Sequence, residues 1–166
     1  MATTEFAQRG KTMATTIITA DLDVIVSEID IAAPPERVFK AISDPVEIRR
    51  RSPDLAVYEM DARVGGAWRL EMRPPQPYKG FAVIHHEGEI LEIDPPRLLV
   101  YTWVANFHTD PKRRSTVRWE LTPTRGGTHV KVTHSGLATE PVSAKDYAGG
   151  WPGVLNELKS ALEGGK

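Results

Sequence analysis

Residues 143–163 read SAKDYAGGWPGVLNELKSALE, and this stretch decides the fold. Its apolar side chains recur at intervals of three and four residues, which is the period of an α-helix with one apolar face. They are Ala144, Tyr147, Ala148, Trp151, Val154, Leu155, Leu158, Ala161 and Leu162. A helix of this length spans about 30 Å, so it must lie across a surface that covers its apolar face.

Signals for the two ends of this helix lie close to the limits of the stretch. Ser143, followed three residues later by Asp146, resembles a capping box, and Gly164-Gly165 supplies a stop. Gly149-Gly150 and Pro152 interrupt the pattern, because proline cannot donate the helical hydrogen bond. The sequence predicts either a kink at this point or a helix that restarts with Pro152 in its first turn.

The chain before this helix predicts one strand, two short helices and six further strands. The first strand follows Asp23, and the helices open at Pro35 and Pro45. The six strands are predicted over residues 56–61, 67–73, 80–93, 98–105, 116–122 and 128–134, with Gly- and Pro-rich turns between them. Apolar residues alternate with polar ones along the later strands. We therefore predict an α+β fold in which a curved antiparallel sheet of about seven strands wraps around the long C-terminal helix.

Length and composition bound the class of protein. The chain has 166 residues, a net charge of −1 and no cysteine, which indicates a globular domain over residues 21–166 without disulfides or thiolate chemistry. The near-neutral charge argues against a nucleic-acid partner. No apolar run approaches the roughly 20 residues of a membrane span, and no signal pattern opens the chain, so we expect a cytoplasmic location.

Residues 1–20 are predicted to be a flexible segment, and the repeated Met-Ala-Thr-Thr leaves either Met1 or Met13 as the start of translation.

The order of elements and five local strings resemble a known superfamily. The strings are AAPPERVFKAISDP (32–45), VGGAWRLEMR (64–73), GEILEIDPPRLLVYTW (88–103), the segment 116–136 that ends in VTHSG, and GWPGVLNELKSALE (150–163). They are similar to the START-like (SRPBCC) superfamily, which includes the birch-pollen allergen, and within it to bacterial homologues of the activator of heat-shock-protein-90 ATPase. The resemblance covers residues 23–163 and implies a helix-grip fold, in which sheet and helix commonly enclose a pocket.

The resemblance implies that the large side chains facing the long helix contact a ligand. The predicted pocket lining is Trp68, Leu70, Met72, His86, Tyr101, Trp103, Trp119, Val130, Val132, His134, Trp151 and Leu155. Such rings either fill a core or line a cavity, and helix-grip geometry weighs these two outcomes about equally. We interpret the chain as a protein that binds a small hydrophobic or amphipathic molecule, lipid-like or polyketide-like.

The five histidines do not show the spacing of a metal site, so neither a metal nor a cofactor is predicted. His134 shares the inward face of its strand with Val130 and Val132, which favours a hydrogen-bonded core histidine. His85 and His86 point to opposite faces, and Gly88 is predicted to mark a β-bulge that makes the inward one of the two uncertain.

Two other functions stay open. A polyketide cyclase or aromatase, as the superfamily implies, would use His86, Glu89, Glu92, Tyr101 and Arg118 for acid–base chemistry. Simple alternation, however, places Glu89 and Glu92 on opposite faces, and the spacing forces no two of these residues together. A protein-interaction module is the second alternative, as the chaperone link of the family name implies, although no string identifies a chaperone contact. No catalytic residue is assigned, and a homodimer stays open.

Arg49-Arg50-Arg51 depart from the pattern of the family, in which aromatic residues often follow the Asp-Pro of the second helix. If this helix lines the mouth of the pocket, as the resemblance implies, the entrance is cationic and suits an anionic head group. The alternative is a solvated helix end, where arginines also complement the helix dipole.

Overall fold

The computed structural model describes residues 13–164, which form one antiparallel sheet and three helices. In chain order the elements are β1 Thr15–Ile18, β2 Ile25–Ile31, α1 Pro35–Ser43, α2 Pro45–Arg51, β3 Leu55–Met60, β4 Ala67–Met72, β5 Ile84–Asp94, β6 Leu98–Ala105, β7 Ser115–Thr124, β8 Gly127–Ser135 and α3 Pro141–Glu163. The strands are arranged in the order β1-β2-β8-β7-β6-β5-β4-β3. This arrangement confirms the predicted α+β helix-grip fold.

One strand was not predicted from the sequence. β1 pairs with the outer edge of β2, with Thr15 opposite Glu28 and Ile18 opposite Ile25, so the sheet has eight strands within the described residues. Its four residues, Thr-Thr-Ile-Ile, are too few to show the alternation by which the other strands were found. The predicted flexible segment 1–20 therefore includes a short strand, and its first twelve residues lie outside the described part of the chain.

The two short helices begin where their prolines predict. Pro35 and Pro45 each occupy the first helical position, where the missing N–H breaks no helical hydrogen bond. Asp44 ends α1 and caps α2, since its carboxylate accepts a hydrogen bond of 2.9 Å from the Val46 amide. α1 buries Val38, Phe39 and Ile42 against the core, whereas α2 buries Ile48 alone.

α3 is longer than predicted and begins at a different residue. Glu140 is its N-cap, so Ser143 lies inside the helix, buried, and the proposed capping box with Asp146 is wrong. The helix continues through Pro152, which corrects the alternative of a restart at that residue. Its inner face buries Ala144, Trp151, Leu155 and Leu158. Two apolar positions of the predicted stripe, Val154 and Ala161, instead face solvent.

Polar contacts fix the C-terminal half of α3 to the end of β2 and to the end of α2. The Glu163 carboxylate accepts a hydrogen bond of 2.7 Å from the Ala32 amide, and the Lys159 ammonium donates to the Asp30 carbonyl at 2.8 Å. Ser52 donates to Glu157 at 3.0 Å. Among the described residues, no helix is both long and apolar enough to cross a membrane.

Gly88 allows β5 to pass beneath a tryptophan, and it does not form the predicted bulge. It pairs with Trp68 of β4, whose indole N–H reaches past it to donate to the Thr102 carbonyl on β6 at 2.8 Å. A Cβ at position 88 would overlap that carbonyl oxygen and lie 2.5 Å from Trp68 Nε1. The bulge itself falls at Leu91, where the pairing of β5 with β6 shifts by one residue between Ile90 and Glu92.

We predict that Gly88→Ala lowers the free energy of unfolding by about 3 kcal/mol, because the methyl group collides with backbone atoms that cannot move independently. Urea unfolding followed by circular dichroism measures the change. Gly126→Ala is the matched control, because nothing lies within 4 Å of a Cβ at that turn position, and its effect should stay within about 0.5 kcal/mol. Equal stability of the two variants would contradict this account of Gly88.

Candidate functional site

The structure brings most of the predicted pocket residues together between α3 and the sheet. Nine of them are buried, namely Trp68, His86, Tyr101, Trp119, Val130, Val132, His134, Trp151 and Leu155. Leu70, Met72 and Trp103 are half-buried. Alternation along β6, β7 and β8 therefore placed side chains on the correct face of the sheet, and helical periodicity placed Trp151 and Leu155 on the inner face of α3. The strand residues are Tyr101, Trp103, Trp119, Val130, Val132 and His134. Whether they contact a ligand is a separate question, which depends on how their rings are packed and hydrogen-bonded.

The four tryptophans are in mutual contact. Ring centroids lie 5.2 Å apart for Trp68 and Trp103, 5.9 Å for Trp103 and Trp151, and 5.7 Å for Trp151 and Trp119. The Trp119 indole N–H donates to the Tyr101 hydroxyl at 2.9 Å. Around Trp119 and Trp151 the rings therefore fill the core and their N–H groups are hydrogen-bonded to neighbouring rings, which is the first of the two outcomes that the sequence left open.

A second group of rings continues this layer toward the N-terminal end of α3. We call His86, Trp103, His108, His134 and Tyr147 the histidine cluster. Neighbouring ring centroids in it lie 4.6 Å apart for His86 and Trp103, 5.0 Å for His134 and Tyr147, and 5.8 Å for His108 and Tyr147. β5, β6, β8, α3 and the loop after β6 each contribute one member.

His134 is fully hydrogen-bonded within this cluster. The Ser115 hydroxyl donates to the Trp103 carbonyl at 2.9 Å, so it accepts the N–H of His134 Nε2 at 2.8 Å. His134 Nδ1 then accepts the Trp151 indole N–H at 3.2 Å. These bonds assign the Nε2–H tautomer. The prediction that His134 is a hydrogen-bonded core histidine is confirmed.

His86 and His108 share one partner, the hydroxyl of Tyr147. His108 Nε2 lies 2.7 Å from this oxygen and His86 Nε2 lies 3.3 Å from it. Three buried nitrogens of the cluster have no hydrogen-bond partner within residues 13–164, namely His86 Nδ1, His108 Nδ1 and Trp103 Nε1. Buried polar atoms are nearly always paired, so three orphans in one cluster require an explanation.

Burial keeps these imidazoles neutral. It lowers the pKa of His86 to about 3 and that of His134 to about 3, with smaller contributions from neighbouring histidines. Burial also lowers the pKa of His108, although the nearby Glu140 carboxylate opposes this shift. The polar side of the interface therefore carries hydrogen-bonding groups without charge at neutral pH.

Glu140 positions the loop that carries His108. Its buried carboxylate accepts hydrogen bonds from the Thr109 amide at 2.9 Å, the Thr109 hydroxyl at 2.7 Å and the Asp110 amide at 2.9 Å. Burial alone would raise the pKa of Glu140, but these bonds hold it below its usual value. The first residue before α3 thus fixes the loop after β6, and with it the imidazole of His108.

Residues 73–83, which we call the strap, connect β4 to β5 and reach α3. Tyr78 and Phe81 close a tight turn through backbone hydrogen bonds of 2.9 and 2.8 Å, with Lys79 and Gly80 at positive φ. This turn corrects the predicted strand 80–93, which begins instead at Ile84. The Tyr78 hydroxyl donates to Asp146, and Lys79 Nζ lies 3.2 Å from the same carboxylate.

The strap also contacts the wall of the cluster. The Tyr78 ring packs edge-on against Phe107 at 5.0 Å, and Phe107 packs edge-on against His86 at 5.5 Å. At its other end, Asn106 holds the strap by donating to the Val83 carbonyl at 2.8 Å. The strap therefore lies next to the histidine cluster and is attached to α3 through one exposed carboxylate.

The candidate acid–base residues are separated by the sheet. His86 and Tyr101 face α3, whereas Glu89, Glu92 and Arg118 lie on the outer face. The prediction that Glu89 and Glu92 point to opposite faces is wrong, because the bulge at Leu91 returns Glu92 to the outer side. Arg118 lies 3.6 Å from both Glu92 and Glu120 there.

The three consecutive arginines of α2 lie away from the histidine cluster. Arg49 and Arg50 line a surface depression of about 380 Å³ with Val46, Pro53 and Leu55. Arg51 instead turns toward the protein and donates to the Ala41 carbonyl at 2.9 Å. A second depression, of about 350 Å³, lies beside the β7–β8 turn. The arginine side chains therefore belong to a helix end next to a shallow surface site.

Several residues in the cluster or next to it were not in the predicted lining. Tyr147 lies one turn before Trp151 on the apolar stripe, so helical periodicity was a sufficient signal for it. Phe107 and His108 lie in a turn after β6, where strand alternation no longer applies. Tyr78 and Asp146 meet only through the fold, 68 residues apart in the chain.

The sequence places the chain in a family. Residues 32–163 match the family described as "Activator of Hsp90 ATPase homolog 1-like protein", and the chain belongs to it and to the START-like (SRPBCC) superfamily. The family is known for ligand binding. No curated protein matches the sequence.

Solved structures share the fold. Protein MLL2253 from Mesorhizobium loti is 27% identical, with a TM-score of 0.67 over 84% of this chain and 96% of that one. A Rhodobacter sphaeroides protein is 16% identical, with a TM-score of 0.73 over 91% and 98% of the two chains. DynU16, a protein in the dynemicin biosynthetic locus, is 19% identical, with a TM-score of 0.68 over 87% of this chain and 48% of that one.

We predict that the protein loses stability as the pH falls from about 6.5 to 5, since the unfolded histidines take up protons in this range and the buried ones do not. Over this range the free energy of unfolding therefore increases with pH. Each buried histidine that stays fully neutral contributes a slope approaching about 1.4 kcal/mol per pH unit. Urea unfolding at several pH values measures this slope.

His86→Gln should reduce this slope by up to the contribution of one histidine, about 1.4 kcal/mol per pH unit. The reason is that it removes one imidazole that is protonated in the unfolded chain and stays neutral in the folded protein. His85→Gln, one residue away on the outer face beside Glu87, is the control. If His86→Gln and the parent protein show the same slope, the imidazole of His86 is not held neutral by the fold.

Proposed function

We propose that the protein binds a small, mostly apolar ligand between the N-terminal half of α3 and the sheet, at the histidine cluster. The observation that carries this proposal is the set of three orphaned nitrogens on His86, His108 and Trp103. An unpaired buried polar group costs about 1–3 kcal/mol. A ligand that supplies the missing partners would recover this free energy on binding.

The surroundings of these nitrogens suit an apolar ligand with few polar groups. Rings of Trp103, Phe107 and Tyr147 form the walls, and the imidazoles beside them are neutral. Ligand sites of this kind are typically apolar, with a small number of polar atoms that fix the orientation of the ligand. The ligand binding known for the family supports a binding function for this chain.

The strap offers a route into the cluster. Its contact with α3 depends on Asp146, which is about half exposed, and exposed ion pairs contribute little stability. Phe81, in the tight turn of the strap, is 39% exposed. Movement of the strap away from α3 would separate Tyr78 from Phe107 and expose the ring wall of the cluster, so the closed packing of the rings is compatible with binding.

The geometry supports binding better than cyclase chemistry. Glu89, Glu92 and Arg118 lie on the far side of the sheet from His86, so they are not placed to act with it on one substrate. The low pKa of His86, about 3, also makes its imidazole a weak base at neutral pH. DynU16 shares the fold with this chain, but a shared fold does not imply a shared function, so its place in a biosynthetic locus is no evidence for cyclase activity here.

A thermal-shift screen of small apolar and amphipathic compounds tests the proposal, with hits followed by tryptophan emission. We expect hits whose affinity falls about fivefold or more in Trp103→Phe, since this variant removes an aromatic contact and a hydrogen-bond donor.

Arg49→Gln, in the depression beside α2, is the matched control and should leave the affinity unchanged. Hits that respond to Arg49→Gln and not to Trp103→Phe would move the site to the arginine-lined depression. A screen without any hit that perturbs Trp103 would refute ligand binding at the cluster.

A further inference from the structure

The hydroxyl of Tyr147 determines the protonation pattern of the two histidines that contact it. It lies 2.7 Å from His108 Nε2 and 3.3 Å from His86 Nε2, and it has a single hydrogen. When the Tyr147 hydroxyl donates this hydrogen to one imidazole, the other imidazole donates its own N–H to the tyrosine oxygen. The two neutral imidazoles are then opposite tautomers.

Opposite tautomers leave unlike orphaned nitrogens on the two histidines. A neutral imidazole has one N–H and one bare nitrogen, so the histidine that accepts at Nε2 carries its hydrogen on Nδ1. The histidine that donates from Nε2 has a bare Nδ1. With the Trp103 indole N–H, the orphaned atoms amount to two donors and one acceptor.

The charged side chains nearest the cluster are already engaged. Glu140 accepts three hydrogen bonds from Thr109 and Asp110, and Asp146 is bound to Tyr78 and Lys79. His134 has both ring nitrogens bonded. A ligand at the orphaned nitrogens therefore meets dipoles and ring faces, and a full charge on it would lose its hydration without gaining a counter-charge.

On the basis of the proposed function, we propose that the ligand is an uncharged, flat molecule carrying a carbonyl-type acceptor and a hydroxyl-type donor. The acceptor takes one orphaned N–H, that of Trp103 or that of one histidine. The donor bonds to the bare Nδ1 of the other histidine. The rings of Trp103 and Phe107, each in contact with His86 at centroid distances of 4.6 and 5.5 Å, favour a flat molecule.

Four neutral probes of nearly equal size test this inference. para-Hydroxyacetophenone has both groups, para-methylacetophenone has only the acceptor, para-isopropylphenol has only the hydroxyl, and para-isopropyltoluene has neither. Calorimetry should show about tenfold tighter binding of para-hydroxyacetophenone than of para-isopropyltoluene, as two modest hydrogen bonds provide. The anion para-hydroxybenzoate should bind more weakly than para-hydroxyacetophenone.

Indole N–H resonances give a readout that is specific for the site. The indoles of Trp68, Trp119 and Trp151 already donate to Thr102, Tyr101 and His134, whereas that of Trp103 has no hydrogen bond of good geometry within residues 13–164. Both acetophenones should therefore shift the Trp103 resonance strongly downfield, and para-isopropyltoluene should not. Trp103→Phe assigns the resonance by removing it.

Variants separate failure of this inference from failure of the proposed function. His86→Gln and His108→Gln should each reduce the preference for para-hydroxyacetophenone about threefold or more, whereas His85→Gln on the outer face should retain it. If all four probes bind at Trp103 with equal affinity, or the anion binds best, the ligand class is wrong and the site stands. If no probe perturbs Trp103, the inference and the proposed site both fail.

Discussion

The fold depends on one constraint: the indoles, imidazoles and phenols that α3 covers are cut off from water and need hydrogen-bond partners within the protein. Along most of the interface the sheet supplies these hydrogen-bond partners. Trp119 donates to Tyr101, Trp68 reaches past Gly88 to the Thr102 carbonyl, and Trp151 donates to His134. Each bond joins two elements at a fixed distance, so these polar contacts set the register in which apolar burial holds helix and sheet together.

The same constraint divides the interface into two halves. Around Trp119 and Trp151 the rings are packed and satisfied, which is the condition of a structural core. Around Tyr147 one hydroxyl serves two imidazoles, and three nitrogens remain unpaired within the described residues. Only the second half lies beside the strap, whose exposed contacts make it the cheapest element to displace. Stability and recognition therefore occupy adjacent parts of one aromatic layer.

Periodicity predicted much of this arrangement, and its failures have local causes. Strand alternation placed Tyr101, Trp119 and His134 on the face that α3 covers, because one face of each strand is buried. It failed for Glu92, since the bulge at Leu91 reverses the alternation there. It gave no information on His108, which lies in a turn. The pairing of Tyr78 with Asp146 depends on how the strap folds over α3, and no short-range pattern contains it.

His86 and His108 are neutral, opposite tautomers around Tyr147, with unlike nitrogens left open. Long-range proton–nitrogen correlation spectra of the imidazoles at pH 7 test this assignment most directly. We expect three neutral buried rings, with His134 carrying hydrogen on Nε2 and His86 and His108 differing from each other. A charged imidazole among these three, or the same tautomer at His86 and His108, would contradict it.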